Sequence, residues 1–455
     1  MSYSLTKTNI NFRAVPELSA SIQRWCLDFP EDGRNVTAVE LGEEGLTIHG
    51  WLLLHSVEQM QTVEIYVQQG EALEFFPLTH DRPDVIKAFQ VDAGFCRCGF
   101  KHQVKINQGQ FAVGIQLGQE RIELTRYQVQ GPFAILHGAQ GWLFLDNDTN
   151  KSVAQHTGEL LLDEYQQSDW LRYMQGFTQL AASNSTPYAL LVAPAKEAVY
   201  RQFHPHPRSD VTVVEQLQAL APDSFPLVYP ESLLATATQR PTFRMKDTHW
   251  THYGAMLATV AVCQQLGVDY SAIKKLFASD RYSEREVDGD LGNKVYPPEK
   301  HSEAFLKGNR YLKRVVYDNG LDNFGRTQVF WHQKALVSGH CLVFGSSSAY
   351  SMLAYLTRVF SQVTLIHTAG NIDPAMLHAL QPDYLVAQTN GRFVVVPPTV
   401  DYDLRATIAH KLAAKSSSQR DDCIAAAAAQ VQALPEQAPK SVANAAQVLF
   451  ACLSG

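Results

Sequence analysis

The rhythm of apolar residues changes once along this chain, near residue 131, and that change constrains the fold more than any other feature. From about 35 to 130, apolar and polar residues alternate in short runs, as in Leu46-Thr-Ile-His-Gly-Trp-Leu-Leu-Leu54, Thr62-Val-Glu-Ile-Tyr-Val67 and Gln110-Phe-Ala-Val-Gly-Ile-Gln116. A period of two sends successive side chains to opposite faces of a strand, and the Gly, Asn and Asp between runs supply turns. No long helical period interrupts them. Residues 1–130 are therefore expected to form an all-β sandwich.

After Gly131-Pro132 strands and helices alternate. Helical spacing runs from Glu159 to Ala182, followed by a buried strand, Tyr188 to Ala193, and helices at 211–220 and 252–266. Further on come strand 341–344, helix 349–360, strand 363–366, helix 375–380 and strand 384–387. Such alternation predicts an α/β domain over 131–414, a three-layer sandwich around a mostly parallel sheet. Residues 268–338 are polar and irregular and read as an insertion or long loops. The Ala-rich tail, 415–455, reads as two helices broken near Pro435 and Pro439 that pack on this domain.

The net charge of -7 gives no general pull toward nucleic acid or an anionic membrane. No window is apolar for long enough to span a bilayer, and the first ten residues lack a signal-peptide core. The expectation is a cytoplasmic protein that is not integral to a membrane, or a periplasmic one if a leader was removed. Seven cysteines, an odd number and mostly isolated, fit reduced thiols. Cys96-Arg-Cys98 reads as two strand cysteines rather than a zinc site.

Two segments carry residues suited to nucleophilic catalysis. In Cys341-Leu-Val-Phe-Gly-Ser-Ser-Ser-Ala-Tyr350 a strand meets a helix through Gly345 and three serines. A serine there sits at the carboxyl end of a sheet strand, where free helix N–H groups can receive an oxyanion. It can equally be a plain N-cap. In Met245-Lys-Asp-Thr-His-Trp-Thr-His-Tyr-Gly254, Asp247 and His249 lie two apart before a helix. Histidine can take a serine proton, and a carboxylate can orient the imidazole. Asp247 can equally cap the helix, or join His249 and His252 on a metal; no further ligand cluster completes that site, and none is assigned.

Together these segments resemble the alginate O-acetyltransferase group of the SGNH hydrolase superfamily, in which the Asp-x-His block precedes the serine block. Asp247-Thr-His-Trp250 with Tyr253-Gly-Ala255 is the most specific match, and Gly345-Ser-Ser347 aligns with the serine motif. Gly141-Trp-Leu-Phe-Leu145, Pro194-Ala-Lys196 with Tyr200, Gly289-Asp-Leu291, and Pro382-Asp383 with Arg392 resemble lesser landmarks over roughly 135–400. Ser346 departs from the Asp of many relatives, and three consecutive serines leave the register open by one. The resemblance implies an SGNH-type fold with Ser347 as nucleophile, His249 as base and Asp247 orienting it. It implies an oxyanion site at Gly370 and Asn371, a stretch that also reads as a turn, and substrate contacts from Trp250, Lys196, Arg392 and Tyr350.

The implied reaction is O-acylation, with acetyl the expected group, of a bacterial surface polysaccharide or glycoconjugate precursor. No bound cofactor is needed, and acetyl-CoA or an acyl-carrying partner would be the donor. A carbohydrate esterase with the same triad and a non-catalytic glycan-binding scaffold remain alternatives. Gly50-Trp51, Arg82-Pro-Asp-Val85 with Ala88-Phe89, and Gly94-Phe95 resemble a β-sandwich module found beside bacterial glycosyltransferases. That resemblance implies either carbohydrate binding or a spacer.

Overall fold

The computed structural model describes residues 2–9, 21–131, 135–308 and 310–454, so Pro132 at the expected boundary lies outside the described residues. The chain divides into two compact units. The first holds the described residues up to Ile135 and, unexpectedly, Asp290–Lys300. That short segment joins it because Tyr296 packs edge-on to Tyr3, ring centres 5.1 Å apart, and its hydroxyl donates to the Ile106 carbonyl.

In this unit six strands form one sheet and three another. Their pairings are antiparallel, as in Leu46–Leu54 against Ile22–Phe29 and Gly99–Val104. Apolar residues of both sheets, among them Leu5, Ile48, Leu54, Ile65, Phe100 and Val113, share one core. The motif residues that carry the second resemblance are structural here. Arg82 ion-pairs with Asp28 and Asp84 at 2.7 and 2.8 Å, and Trp51 packs on Phe89 at 5.3 Å. Cys96 and Cys98 precede a strand rather than lying in one, and burial pushes the Cys98 thiol up to about 11.

The second unit is built on a seven-stranded sheet. In chain order its strands are β1 (Tyr188–Ala193), β2 (Leu227–Val228), β3 (Val315–Asp318), β4 (Thr327–Trp331), β5 (Val337–Gly345), β6 (Phe360–His367) and β7 (Tyr384–Asn390). Their spatial order is β2-β1-β7-β5-β6-β4-β3. The first five of these pair in parallel, and β4 and β3 add antiparallel at one edge. Alternate residues of one strand enter different cores. Leu342 and Phe344 face one with Leu190 and Leu385, while Cys341 and Val343 face another with Leu191 and Val386. Strands so buried on both faces need continuous apolar runs.

Helices cover each face. Helix α1 (Glu164–Ser183) starts at a capping box of Asp163 and Gln166 and buries Trp170, Tyr173, Met174, Phe177 and Ala181 at helical spacing. Helices α2 (His252–Gln265) and α3 (Ala349–Val359) cover the other core. The tail helices Ser417–Gln432 and Lys440–Ser454 add Ala427, Ala445, Ala446 and Leu449 to the α1 side. No described helix is long and apolar enough to cross a membrane, and the seven cysteines are unpaired.

The stretch 268–338 is more ordered than its polarity suggests. It contributes a helix capped by Asp269 (Tyr270–Phe277), strands β3 and β4, and an antiparallel pair, Tyr282–Val287 with His301–Leu306. That pair escaped detection because its exposed face is charged, as in Tyr282-Ser-Glu-Arg-Glu-Val287.

Candidate active site

Strand β5 ends at Gly345, and the chain turns through the three serines into α3. Tertiary contacts give each serine a different task. Ser347 Oγ lies 3.0 Å from His249 Nε2. Ser346 and Ser348 instead donate to Asn390 Oδ1, at 3.2 and 2.8 Å, and Ser346 also donates to Gln388 Oε1 at 2.9 Å. Ser346 is 1% exposed.

His249 arrives on a tight loop before α2. Thr251 N donates to Thr242 O at 2.8 Å and Arg244 N to His249 O at 3.2 Å, which folds residues 242–251 back on themselves. Inside the loop Asp247 Oδ1 accepts from His249 N and meets His249 Nδ1, each at 2.8 Å. Burial by itself would raise the Asp247 carboxyl. The hydrogen bonds and charge of His249, with the Arg244 guanidinium, override this and hold it well below the usual carboxylate range. Two glycines let the backbone close up. A Cβ on Gly254 would lie 2.1 Å from Thr242 O, and one on Gly289, at φ +72, would lie 2.1 Å from Lys246 O.

Several of the expected site residues have their polar atoms bonded within the chain, Trp250 and Lys196 while also lining the cleft. Trp250 is 1% exposed, and its Nε1 donates to Ser348 O at 3.1 Å and Ser351 Oγ at 2.7 Å. It thereby ties the His249 loop to the start of α3. Lys196 is 3% exposed and donates to the carbonyls of Asp247 and Met245 at 2.8 and 3.2 Å. Tyr350 turns to His367 Nδ1 at 3.0 Å. The Asn371 side chain donates to Thr368 O at 2.6 Å and accepts from Thr399 N at 2.8 Å, while Gly370 O accepts from Tyr173 at 2.6 Å. The Gly370-Asn371 stretch is thus a braced turn: both ends of the Asn371 amide are committed to the backbone. Arg392 lines the cleft beside His249, together with Leu145, Glu197, Phe243 and Asn390.

His252 does not join Asp247 and His249. Its ring packs on Phe305 at 5.6 Å, and burial, aided by Arg244 and Arg285, pushes it down to about 4. Four residues were missed. Arg244 places Nη1 3.4 Å from Asp247 Oδ2 and Nε 3.0 Å from Glu303 Oε1. Arg244 stands three residues before Asp247, a signal that was available. Glu303 lies in the irregular stretch and had none. Asn390, at the end of β7, takes three donors on Oδ1, with Gln388 Nε2 as the third at 3.1 Å. Glu197 borders the cleft, and burial raises its carboxyl.

A serine at the carboxyl end of a parallel strand, bonded to a histidine that is bonded to a buried carboxylate, defines an SGNH-like α/β enzyme site. A family model described as the SGNH hydrolase-like domain of the acetyltransferase AlgX matches residues 135–384, more than half of the chain and all three of these residues. The chain belongs to that family. No curated protein matches it. Among solved structures, Bacillus cereus PatB1 is 12% identical, with 58% of this chain and 97% of that one covered at a TM-score of 0.43. The O-acetyltransferase domain of Pseudomonas putida AlgJ is 15% identical, with 60% and 97% covered and a TM-score of 0.35. Pseudomonas aeruginosa AlgX is 10% identical, with 60% and 63% covered and a TM-score of 0.32.

Proposed function

We propose that this protein transfers an acetyl group to a hydroxyl of a bacterial surface polysaccharide or glycoconjugate precursor, through an acyl-enzyme on Ser347. The observation that carries this reading is the unbroken chain from Ser347 Oγ to His249 at 3.0 Å and on to Asp247 at 2.8 Å. Membership of the acetyltransferase family supports the acyl group.

In the first half-reaction His249 Nε2 takes the Ser347 proton as Oγ bonds to the acyl carbon. The tetrahedral oxyanion is received by the Ser347 N–H and by the Asn390 amide, whose Oδ1 is already held by three donors. Collapse breaks the bond to the donor, and His249 returns the proton to the leaving group. In the second half His249 takes the proton of a sugar hydroxyl, whose oxygen attacks the acyl carbon and displaces Ser347. The ionised Asp247 stabilises the imidazolium in both. Neither half needs a metal or a bound cofactor. The unpaired thiols favour a reducing, cytoplasmic setting, in which acetyl-CoA would serve as donor. We read the N-terminal unit as an accessory carbohydrate-binding or spacer domain.

The test is turnover of a chromogenic acetyl ester with and without an oligosaccharide acceptor, read also by mass spectrometry. Acetylated sugar that disappears in Ser347→Ala is expected. Release that ignores every acceptor would convert the assignment to an esterase, and absence of release would favour a scaffold.

A further inference from the structure

Strands β1 and β7 lie side by side, with Ala193 opposite Asn390 at their carboxyl ends. The turns that follow them are packed together: a Cβ on Gly391 would stand 3.2 Å from Ala195 N. One turn leads into the short helix Lys196–Val199, which carries Glu197. The other, Gly391–Phe393, carries Arg392. Both residues line the cleft beside His249 and Asn390.

Most polar groups on this wall are already committed. Lys196 donates to the carbonyls of Asp247 and Met245, and Ser348 donates to Asn390 Oδ1. Glu197 is different. It is partly exposed, and among the described residues its carboxyl bonds to its own backbone N–H and to no other residue. Burial pushes this carboxyl up, and the nearby charge of Arg392 pulls it back. Yet no ion pair joins the two among the described residues. The pair that Arg392 makes is a long one, to Asp148 at 3.9 Å, and its side chain keeps 22% of its surface exposed. An acceptor and a donor-only group therefore line one cleft without spending their hydrogen bonds on each other.

Acyl transfer sets a demand that such a pair can meet. Water also attacks an acyl-enzyme, so an acceptor alcohol must be held beside His249 to compete with it. The reacting hydroxyl gives its proton to His249 and is not free for another donor bond. A neighbouring hydroxyl is free. It has one O–H to donate and lone pairs to accept with, which a carboxyl and a guanidinium complement.

We propose that Glu197, together with Arg392, binds the hydroxyl vicinal to the one acetylated, so that the cleft selects 1,2-diols as acceptors. This rests on the acyl-transfer reading above. The neighbouring hydroxyl donates to the Glu197 carboxyl and accepts from Arg392, which leaves the reacting oxygen aimed at the acyl carbon on Ser347.

The test is the partition of the acyl-enzyme. A chromogenic acetyl ester is the donor, and trans-cyclohexane-1,2-diol or cyclohexanol, at equal concentration, is the acceptor. Acetylated alcohol and acetate are measured by mass spectrometry. Their ratio does not depend on how much of a variant is folded. Wild type should favour the diol about tenfold, more than its second hydroxyl gives by count alone, the worth of one added hydrogen bond to a charged group. Glu197→Ala should abolish that preference, and Glu197→Gln, which keeps an accepting oxygen, should retain part of it. Equal transfer to both alcohols in the wild type, or the full preference in Glu197→Ala, overturns the subsite. Hydrolysis with transfer to neither alcohol removes the transferase reading itself, and the subsite with it.

Discussion

Two histidine–carboxylate clusters lie on either side of Arg244, and they are built in opposite ways. On one side His249 and Asp247 meet at 2.8 Å, and the carboxylate is held ionised. On the other, His301 and Glu303 stand 3.8 Å apart, and burial, against the pull of Arg244, pushes the Glu303 carboxyl up to about 7. The residue types are the same, so the difference lies in hydrogen bonding. Asp247 Oδ1 has a backbone and a ring donor; Glu303 has ion pairs to Arg244 and His301 and no backbone donor. Enough donors make a buried charge favourable, and their absence makes it costly. The first cluster holds Asp247, His249 and Ser347 at hydrogen-bond distances. The second is held by ion pairs alone.

The largest effect should come from the first cluster. Ser347→Ala should lower ester turnover by about 10³-fold or more while thermal unfolding stays near that of the wild type, because only one exchangeable hydrogen bond is lost. Turnover kept by this variant would remove Ser347 as nucleophile and break the contrast at its root. Asp247→Asn should cost about 10²–10⁴-fold in kcat, since an amide can no longer hold His249 in the required tautomer. A fall in kcat/KM with kcat intact would show that Asp247 acts on binding instead.

The arginine between the clusters comes next. Arg244→Gln removes positive charge from both carboxylates, and about a tenfold loss of kcat is expected from the weakened Asp247 side. Unaltered kcat would mean that the two clusters are independent. Trp250→Phe should cost about 1–2 kcal/mol in chemical denaturation, because Ser348 O and Ser351 lose a buried donor.

The smallest effect is in stability against pH. The Glu303 carboxyl rises from 4.5 to about 7 on folding, so between those values the folded chain binds more protons than the unfolded one. Its contribution is fully present below about pH 4.5 and is lost as pH climbs through 7. Glu303→Gln cannot ionise, so it should gain on the wild type by about 1–2 kcal/mol between pH 5 and 8, measured by urea unfolding. A gain of the same size at both pH values would show that Glu303 does not titrate there.

The contact of Ser347, His249 and Asp247 was legible because each half is local. Asp247 and His249 sit two apart on one loop, and Ser347 follows a strand with a plain apolar signature. Roles that depend on direction were not. Trp250 and Lys196 line the cleft as expected of substrate contacts, but their polar atoms, like those of Asn371, are bonded within the chain. Sequence reports that a side chain can hydrogen-bond and not which way it turns. Glu303 was invisible for another reason: its partner Arg244 is far away in the chain, and its own strand alternates without an apolar face.

By itself, then, the sequence determined a β-rich region followed by an α/β region and the pairing of a serine segment with an Asp-x-His segment. Periodicity and short motifs are properties of neighbouring residues. Only the tertiary structure decided which of three serines meets His249, and that Asp290–Lys300 joins the first unit. It alone also set Arg244 between Asp247 and Glu303. Each of these depends on which distant groups arrive within about 3 Å, the range over which a hydrogen bond is made or lost.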